Sequence, residues 1–328
     1  MKAVLCTAYG HAETLKVIDC EKPTPHDAEM LVKVHASTVT FGDCEIRNLT
    51  LPLWTRLPVR LMMGFWKPKK LIPGMEFAGV IEAVGSAVRG FKPGDAVFGS
   101  TGMHMGGNAE YVCRSMKLAT GRKPPHVRFD DVATIPVGGI NALHFLRMAN
   151  IQPGQNVLII GGGGSIGSWG IHLAKYWGAE VTAIDHTDKL TMLKTTGADH
   201  VIDYTKEDFS RQTKKYDVIF DTVYKSSFSK CINALSEGGH YLMANTGPLR
   251  MLRGLWVEWT TRKKVRFALA AENEKDLNYL AGLIADEKIR PIIDRVYALN
   301  DTIEAHRYVE QGLKKGNVII RVIPEEPT

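Results

Sequence analysis

The chain has 328 residues, enough for about two domains. Hydrophobic residues make up 45% and charged residues 23%, which is typical of globular proteins and excludes disordered, collagen-like and coiled-coil chains. The net charge of +6 is mild and does not indicate nucleic-acid binding, and no apolar run approaches the roughly 20 residues of a membrane span.

The first 120 residues are predicted to be β-rich. Short strand-like runs alternate there with Pro and Gly turns, at 2–7, 30–36, 77–84, 96–98 and 109–113. The Pro-rich stretch at Pro124-Pro125 indicates a boundary.

From about residue 126, strands are predicted to alternate with helices, as in a parallel α/β sheet. The predicted strands are 156–160, 180–185, 200–202, 217–220, 241–244 and 265–270. Helices are predicted from 166, over 188–196, and from 228 to a stop at Gly238-Gly239. Further helices are predicted from 277 and after Asp301, and a further strand at 318–322. The six strands above already complete the parallel sheet, so these elements are not part of it. We therefore expect the tail to pack on the first domain.

The strongest local motif is a glycine loop between the strand 156–160 and the following helix. It contains G-x-G-x-x-G at Gly162, Gly164 and Gly167. Glycines permit the tight turn, the approach of a pyrophosphate and close helix–strand packing, and the helix N-terminus attracts phosphate. Together they predict a dinucleotide site.

Asp185 ends the next predicted strand, 18 residues after Gly167. A carboxylate there accepts hydrogen bonds from ribose hydroxyls and repels a 2′-phosphate. Lys189 and His186 partly offset that repulsion. The sequence thus indicates NAD(P)H, with a preference for NAD(H), unless Asp185 is only an exposed strand end.

The order and spacing of several motifs resemble the medium-chain dehydrogenase/reductase superfamily, most of all its zinc-free quinone oxidoreductase or zeta-crystallin-like branch. The motifs are PGMEFAGV at 73–80, FKPGDAV at 91–97, GNAEYV at 107–112, IPVGGINA at 135–142, the glycine loop, GADHVIDY at 197–204 and KGNVI at 315–319. The similarity extends over essentially the whole chain.

The resemblance implies an α/β fold in which a Rossmann doubly wound parallel sheet is inserted in a GroES-like β-rich catalytic domain. The expected limits are 1–124 plus 272–328 for the GroES-like domain and 125–271 for the Rossmann domain. It also implies an active site in the cleft between the domains and a homodimer.

The resemblance also implies that this chain binds no zinc. Zinc-dependent relatives use a cysteine and a histidine at the positions held here by Thr40 and Met75, and Val137-Gly138 supplies no third ligand. Thr and Met cannot replace these ligands. Cys44 and His104 are the nearest alternatives, and we interpret them as a buried side chain and a loop residue. Without a metal, the cofactor favours hydride delivery to a quinone or an α,β-unsaturated carbonyl.

The catalytic candidates are Thr40, Phe41, Asp43 and Asn141. Asn141 matches a threonine that contacts the nicotinamide in similar proteins, and Thr40 is a candidate donor to a carbonyl oxygen. Phe41 either stacks on a flat acceptor or belongs to the core, and Asp43 either positions a group or caps a turn. The cofactor-binding candidates are Gly162, Gly164, Ser165, Ile166, Gly167, Asp185, Lys189, Thr222, Asn245 and Asn317.

Within the segment 49–72, ten large apolar residues between 51 and 66 are interleaved with five basic residues between 56 and 70. Three interpretations stay open: a loop–helix packed over the cleft, a hydrophobic lid for a bulky acceptor, and a weak membrane-surface contact. Its prolines are expected to confine any helix to about 59–67, and some of its apolar side chains should remain at the surface.

Five widely spaced cysteines without C-x-x-C indicate a reducing compartment, and the first residues lack a signal-peptide pattern. We therefore expect a cytoplasmic enzyme acting on a small molecule. The rival interpretations are an alcohol dehydrogenase of the same superfamily and a non-catalytic nucleotide-binding or membrane-associated protein.

Overall fold

The computed structural model describes residues 1–69 and 71–323, apart from the side chains of Leu53, Trp54 and Met103. The strands in chain order are β1 (Lys2–Cys6), β2 (Leu15–Asp19), β3 (Glu29–Thr38), β4 (Glu76–Val84), β5 (Ala96–Ser100), β6 (Tyr111–Ser115), β7 (Gly121–Arg122), β8 (Asn156–Ile160), β9 (Glu180–Asp185), β10 (His200–Asp203), β11 (Tyr216–Asp221), β12 (Leu235–Met243), β13 (Lys264–Phe267), β14 (Ile293–Ala298) and β15 (Asn317–Arg321).

The α-helices in chain order are α1 (Phe41–Asn48), α2 (Leu53–Met63), α3 (Phe129–Val132), α4 (Ile140–Ala149), α5 (Ser165–Tyr176), α6 (Leu190–Thr195), α7 (Phe228–Ala234), α8 (Pro248–Thr260), α9 (Glu274–Ala285) and α10 (Thr302–Glu310). A π-helix, Ile135–Gly139, precedes α4.

The chain forms two compact units. The first comprises Met1–Val137, Glu272–Glu287 and Ile293–Thr328, and the second comprises Gly138–Ala271 and Lys288–Ile292. The domain limits predicted from the sequence, 1–124 plus 272–328 and 125–271, stay a prediction.

The first unit contains a largely antiparallel sheet in the order β14-β15-β3-β4-β5-β7, with β6 also pairing with β3. Alternate side chains of β3 and β4, among them Val32, Val34, Phe77 and Ile81, are buried in one cluster. The tail strand β15 pairs with β3, which confirms that the end of the chain returns to the first domain.

The second unit contains six parallel strands in the order β10-β9-β8-β11-β12-β13. Its strands are nearly continuous apolar runs, because helices cover both faces of such a sheet. The strand order reverses between β8 and β11, where ligands bind in doubly wound folds. The predicted fold class is confirmed.

Two local predictions were wrong, and helix α8 was missed. Gly238-Gly239 does not end a helix: α7 ends at Ala234, and the glycines lie inside β12, where Gly238 has a φ of +76° and the pairing with β11 shifts register. The helix is not confined to about 59–67: α2 runs from Leu53 through Pro58 to Met63, at the loss of one backbone hydrogen bond.

Among the described residues, no helix is both long enough and apolar enough to cross a membrane.

Candidate active site

The glycine loop between β8 and α5 holds its glycines for different reasons. Gly161 has a φ of +80°, and a Cβ on it would lie only 2.6 Å from the Thr222 hydroxyl oxygen. A Cβ on Gly167 would lie 2.2 Å from the Gly161 carbonyl oxygen, because α5 packs closely on the loop. A Cβ on Gly164 would meet nothing nearer than 3.5 Å. The space beside Gly164 is therefore open.

The open space lies at the N-terminus of α5. Gly164 is the N-cap residue and provides no side-chain cap, and Ser165, Ile166 and Gly167 form the first helical turn. The amides of a first helical turn and the helix dipole together favour an anion. This arrangement fits the pyrophosphate of a dinucleotide.

Asp185 ends β9 beside the same loop and is 8% exposed. Its Oδ2 accepts a hydrogen bond from the Gly163 amide at 2.8 Å, and its Oδ1 accepts one from the His186 amide at 2.8 Å. The ammonium of Lys189 lies 3.6 Å from Oδ1. Asp185 is thus held against the loop rather than lying free at the end of the strand. Lys189 balances only part of its negative charge.

Thr222 and Asn245 follow β11 and β12, at the carboxyl ends of the strands. The Thr222 hydroxyl donates to the Ile160 carbonyl at 2.9 Å, and the Asn245 amide donates to the Thr222 carbonyl at 2.8 Å. Asn141 lies half-buried in α4 of the same unit. Asn317 begins β15 and belongs to the first unit, whereas the other cofactor candidates belong to the second.

A buried network behind this end of the sheet was missed by sequence reasoning. Asp221 accepts hydrogen bonds from Tyr241 at 2.7 Å and from Arg250 at 2.9 Å, and Ser226 donates to it as well. Arg250 also donates to the Tyr224 carbonyl at 2.9 Å. The network fixes the loop after β11, which carries Thr222. The available signal was the Gly247-Pro248 start of α8, typical of a helix N-terminus.

In the first unit, the catalytic candidates lie where β3 leads into α1. Thr40 is the N-cap of α1 and forms a capping box with Asp43: the Thr40 hydroxyl accepts from the Asp43 amide at 3.1 Å. Asp43 Oδ2 accepts from the Thr40 amide at 2.8 Å and from its hydroxyl at 2.6 Å, and Oδ1 accepts from the Gly74 amide at 3.0 Å.

These bonds show what the two side chains do in the fold. Asp43 caps the helix, as one of the two sequence interpretations held, and is fully buried, which raises its pKa. The hydroxyl proton of Thr40 is directed to Asp43. Phe41, the first residue of α1, is 53% exposed and so does not belong to the core. A planar ligand can therefore reach it.

The two positions at which zinc-dependent relatives carry metal ligands are adjacent. The Thr40 hydroxyl lies 3.8 Å from the Met75 sulfur. Neither group replaces a thiolate or an imidazole as a zinc ligand. Within residues 1–69 and 71–323, no group of three or more His, Cys, Asp or Glu side chains is arranged to hold a metal ion.

Glu76, next to Met75, is buried at the start of β4. Its Oε1 accepts from the Val137 amide at 2.6 Å, and the Thr38 hydroxyl bonds to Oε2. Burial raises the pKa of Glu76 to about 8, although both hydrogen bonds act in the opposite direction. Through these two hydrogen bonds, Glu76 ties the π-helix to the end of β3.

The two alternative metal ligands considered from the sequence lie in different elements. Cys44 is buried in α1 with its sulfur 3.7 Å from Nδ1 of His306, and burial raises the pKa of the thiol to about 12. His104 lies in the short 3₁₀ helix Gly102–His104. The interpretation of Cys44 as a small buried side chain is confirmed.

Comparison with known proteins agrees with this geometry. The family model of the alcohol dehydrogenase GroES-like domain matches residues 26–135, and that of the zinc-binding dehydrogenase matches residues 196–320. A 2-methylene-furan-3-one reductase of Solanum lycopersicum is 31% identical over 340 residues, which cover 99% of this chain and 80% of the relative. The chain belongs to the medium-chain dehydrogenase/reductase superfamily, in its quinone oxidoreductase branch.

Two further relatives place this medium-chain reductase more closely. An NADPH-dependent alkenal/one oxidoreductase of Arabidopsis thaliana is 29% identical, over 99% of this chain and 80% of the relative. The structure of the quinone oxidoreductase from Coxiella burnetii superposes with a TM-score of 0.87 at 28% identity, covering 98% of this chain and 99% of that one. This medium-chain reductase is an NAD(P)H-dependent oxidoreductase.

Proposed function

We propose that this enzyme is a zinc-independent reductase that delivers hydride from NAD(P)H to a quinone or an α,β-unsaturated carbonyl. The observation that carries the proposal is the pair Thr40 and Met75, which occupies adjacent metal-ligand positions with groups unsuited to zinc. Without a metal ion to polarise its oxygen, an alcohol is hard to oxidise. A quinone or an enone is the better substrate, because it is already activated to accept hydride. The names of the tomato and Coxiella relatives, which concern an enone and quinones, support the same choice.

The residues present fit a dinucleotide. The loop leaves room beside Gly164, the first turn of α5 provides amides for phosphate, and Asp185 holds two oxygens at the end of β9. When bound, the nicotinamide supplies the hydride. The chain's own part is to orient the two reactants, exclude water and stabilise the developing oxyanion.

We propose that NAD(H) binds at least as well as NADP(H). The Gly163 and His186 amides and Lys189 hold the Asp185 carboxylate in place beside the loop, so it cannot swing away from a 2′-phosphate without losing three contacts. The Arabidopsis relative is named for NADPH, which makes this preference the part of the proposal most open to test.

Thr40 and Phe41 are candidates for contact with the hydride acceptor, and their roles differ. The carboxylate of Asp43 accepts a hydrogen bond from the Thr40 hydroxyl and so orients that hydroxyl. Exposed Phe41 offers a ring on which a flat acceptor stacks. We propose Asn141 as the nicotinamide contact, in place of the threonine of similar proteins.

The segment 49–72 is proposed to border the acceptor site. Its described apolar side chains divide as expected: Val59, Met63 and Leu71 are buried, while others are exposed, namely Leu57, Leu61, Met62, Phe65 and Trp66. Lys70 and the side chain of Trp54 lie outside the described residues. A weak membrane-surface contact through this segment stays the alternative. The homodimer and the cytoplasmic location also stay proposals.

Turnover assays with NADH and NADPH against simple quinones, enones and alcohols test the proposal. We expect activity with quinones or enones, none with alcohols, and no loss on treatment with a chelator. Gly164→Val serves as the cofactor-binding control. Cofactor binding without turnover of any acceptor would favour the non-catalytic interpretation, and chelator-sensitive alcohol oxidation would favour an alcohol dehydrogenase.

A further inference from the structure

The loop that follows β11, residues 222–226, lies against the phosphate loop. The Thr222 amide donates to the Ile160 carbonyl at 3.1 Å, and its hydroxyl lies 2.9 Å from the same oxygen and 3.3 Å from the Gly161 carbonyl oxygen. A Cβ on Gly161 would lie 2.6 Å from the Val223 side chain, so the two loops are in close contact. The order of the sheet reverses between β8 and β11, and ligands of doubly wound sheets bind at that place. The 222–226 loop therefore borders the proposed cofactor site.

This loop belongs to no helix or strand, and two charged side chains of neighbouring elements hold it. Arg250, in the first turn of α8, donates through Nη1 to the Tyr224 carbonyl at 2.9 Å and through Nη2 to the Ser226 hydroxyl at 3.0 Å. Asp221, the last residue of β11, accepts from the Val223 amide at 3.1 Å and from the Ser226 hydroxyl. The position of the loop therefore depends on a residue of α8, which follows it by more than twenty positions in the chain.

Arg250 and Asp221 form a buried ion pair. Nη2 of Arg250 lies 2.9 Å from Oδ2 of Asp221, and the hydroxyl of Tyr241 in β12 donates to the same oxygen at 2.7 Å. Asp221 and Tyr241 are fully buried, and the Arg250 side chain is 13% exposed. A buried charge without its partner is costly, so a network of this kind restricts the groups bonded to it to one arrangement. The 222–226 loop is one of those groups.

We propose that Arg250 is a positioning residue for the nicotinamide cofactor. Through the Tyr224 carbonyl and Asp221 it holds the 222–226 loop against the phosphate loop, in the arrangement that receives the dinucleotide. The inference rests on the proposed cofactor site and adds a residue to it that acts only through its neighbours. Without Arg250 the loop is released, and the cofactor has to order it on binding. A loop that takes its binding position in about one molecule out of ten lowers the apparent affinity about tenfold.

Fluorescence titration with NADH and NADPH, together with steady-state kinetics, tests the role of Arg250. Arg250→Met should raise the Kd and the KM of the better-bound cofactor by about tenfold, and Arg250→Lys should raise them less because it keeps a positive charge beside Asp221. The kcat at saturating cofactor and the KM of the quinone should stay within about threefold of the wild type. Lys175→Met is the matched control. It breaks an ion pair of the same unit, 2.7 Å from Asp199, at the amino ends of β9 and β10, and should bind cofactor as the wild type does.

Limited digestion with trypsin reports the position of the loop directly. Lys225 is exposed in the middle of the loop, between two residues that the network holds. Cleavage after Lys225 should be at least about fivefold faster in Arg250→Met than in the wild type, and saturating cofactor should slow it in both proteins. A role in stability alone would accelerate cleavage throughout the second unit without preference for Lys225.

Three results would overturn the proposal: an unchanged Kd in folded Arg250→Met, an equal loss of affinity in Lys175→Met, or cleavage without preference for Lys225. If Arg250→Met does not fold because Asp221 is left unpaired, the double variant Asp221→Asn, Arg250→Met decides, since it removes both charges. It should show the same rise in Kd, and wild-type affinity in it refutes the proposal. Gly164→Val separates this proposal from the cofactor site on which it rests. Wild-type affinity in Gly164→Val removes both, whereas a loss there with none in Arg250→Met removes the positioning role alone.

Discussion

Two glycines of the phosphate loop provide a paired test of the cofactor site, because each is required for a different reason. Gly164 has a φ of −85° and a ψ of 175°, which any residue adopts, and a Cβ there meets no atom within 3.4 Å. A Cβ on Gly167 lies 2.2 Å from a backbone oxygen, so the backbone has to move. Gly164→Val should therefore act on the bound nucleotide, and Gly167→Ala on the folded protein.

The sizes of the two effects follow from these contacts. A valine at 164 occupies the space assigned to the pyrophosphate and removes one or two hydrogen bonds to a charged group, each about 1.5–3 kcal/mol. We expect a loss of about 3 kcal/mol, or roughly a hundredfold in Kd. The free energy of unfolding should change by less than about 1 kcal/mol, since no side-chain cap is lost. Gly167→Ala should lower it by about 1–3 kcal/mol through overpacking.

Fluorescence titration with NADH and NADPH measures the first effect, and thermal denaturation without nucleotide measures the second. Gly164→Val should melt near the wild-type Tm while binding fails, and Gly167→Ala should melt several degrees lower. A folded Gly164→Val protein with wild-type affinity for both cofactors would refute the assignment of the phosphate site. Equal losses of Tm in both variants would show that the fold needs the space beside Gly164.

The variant Asp185→Asn keeps an acceptor for the Gly163 amide but removes the negative charge. It should therefore shift the ratio of the NAD(H) and NADP(H) affinities towards NADP(H) by about tenfold. A wild type that already prefers NADP(H) tenfold would contradict this reasoning. Burial raises the pKa of Glu76 to about 8 in the folded protein, from 4.5 in the unfolded chain. The unfolded chain therefore loses this proton first as pH rises, and folding stability decreases between those two values. The free energy of unfolding of Glu76→Gln should match that of the wild type near pH 5 and exceed it by a few kcal/mol near pH 9. If denaturant titrations give the same difference at both pH values, the argument from a buried acid is disproved. Elemental analysis of the purified protein should find no stoichiometric zinc, and about one tightly held zinc per chain would overturn the zinc-free mechanism. Phe65 and Trp66 form an edge-to-face pair, and replacing either with Ala should weaken turnover of large quinones more than of small enones; equal losses would assign the segment a folding role.

Sequence reasoning succeeded where the signal is local. The limits of β8 and β9 were predicted to the residue, because buried parallel strands are short apolar runs bounded by turn residues. It failed where tertiary contacts outweigh local preference. Gly238 marks a bulge between paired strands rather than a helix end, and Pro58 is tolerated inside α2.

The same distinction applies to the site. The loop glycines and Asp185 were found because their roles depend on neighbours close in sequence. The burial of Glu76 and the bond from Thr38 depend on residues 38 positions apart, so no pattern in one segment predicted a raised pKa. Helix α8 was missed although its proline at the first helical position and its helical apolar spacing were visible in the sequence.

The positions of its strands along the chain determine how late in synthesis the sheet of the first unit is completed. The end of β3, from Ala36 to Thr38, pairs on one side with β15, one of the last elements to be made. The second unit's strands β8 to β13 all emerge earlier and are able to pair with one another meanwhile. Until residues 317–321 are made, the strand end that carries Thr38 presents unpaired backbone groups, which readily join a strand of another chain. The half of the protein that begins first is thus the half exposed longest to misassembly on the ribosome.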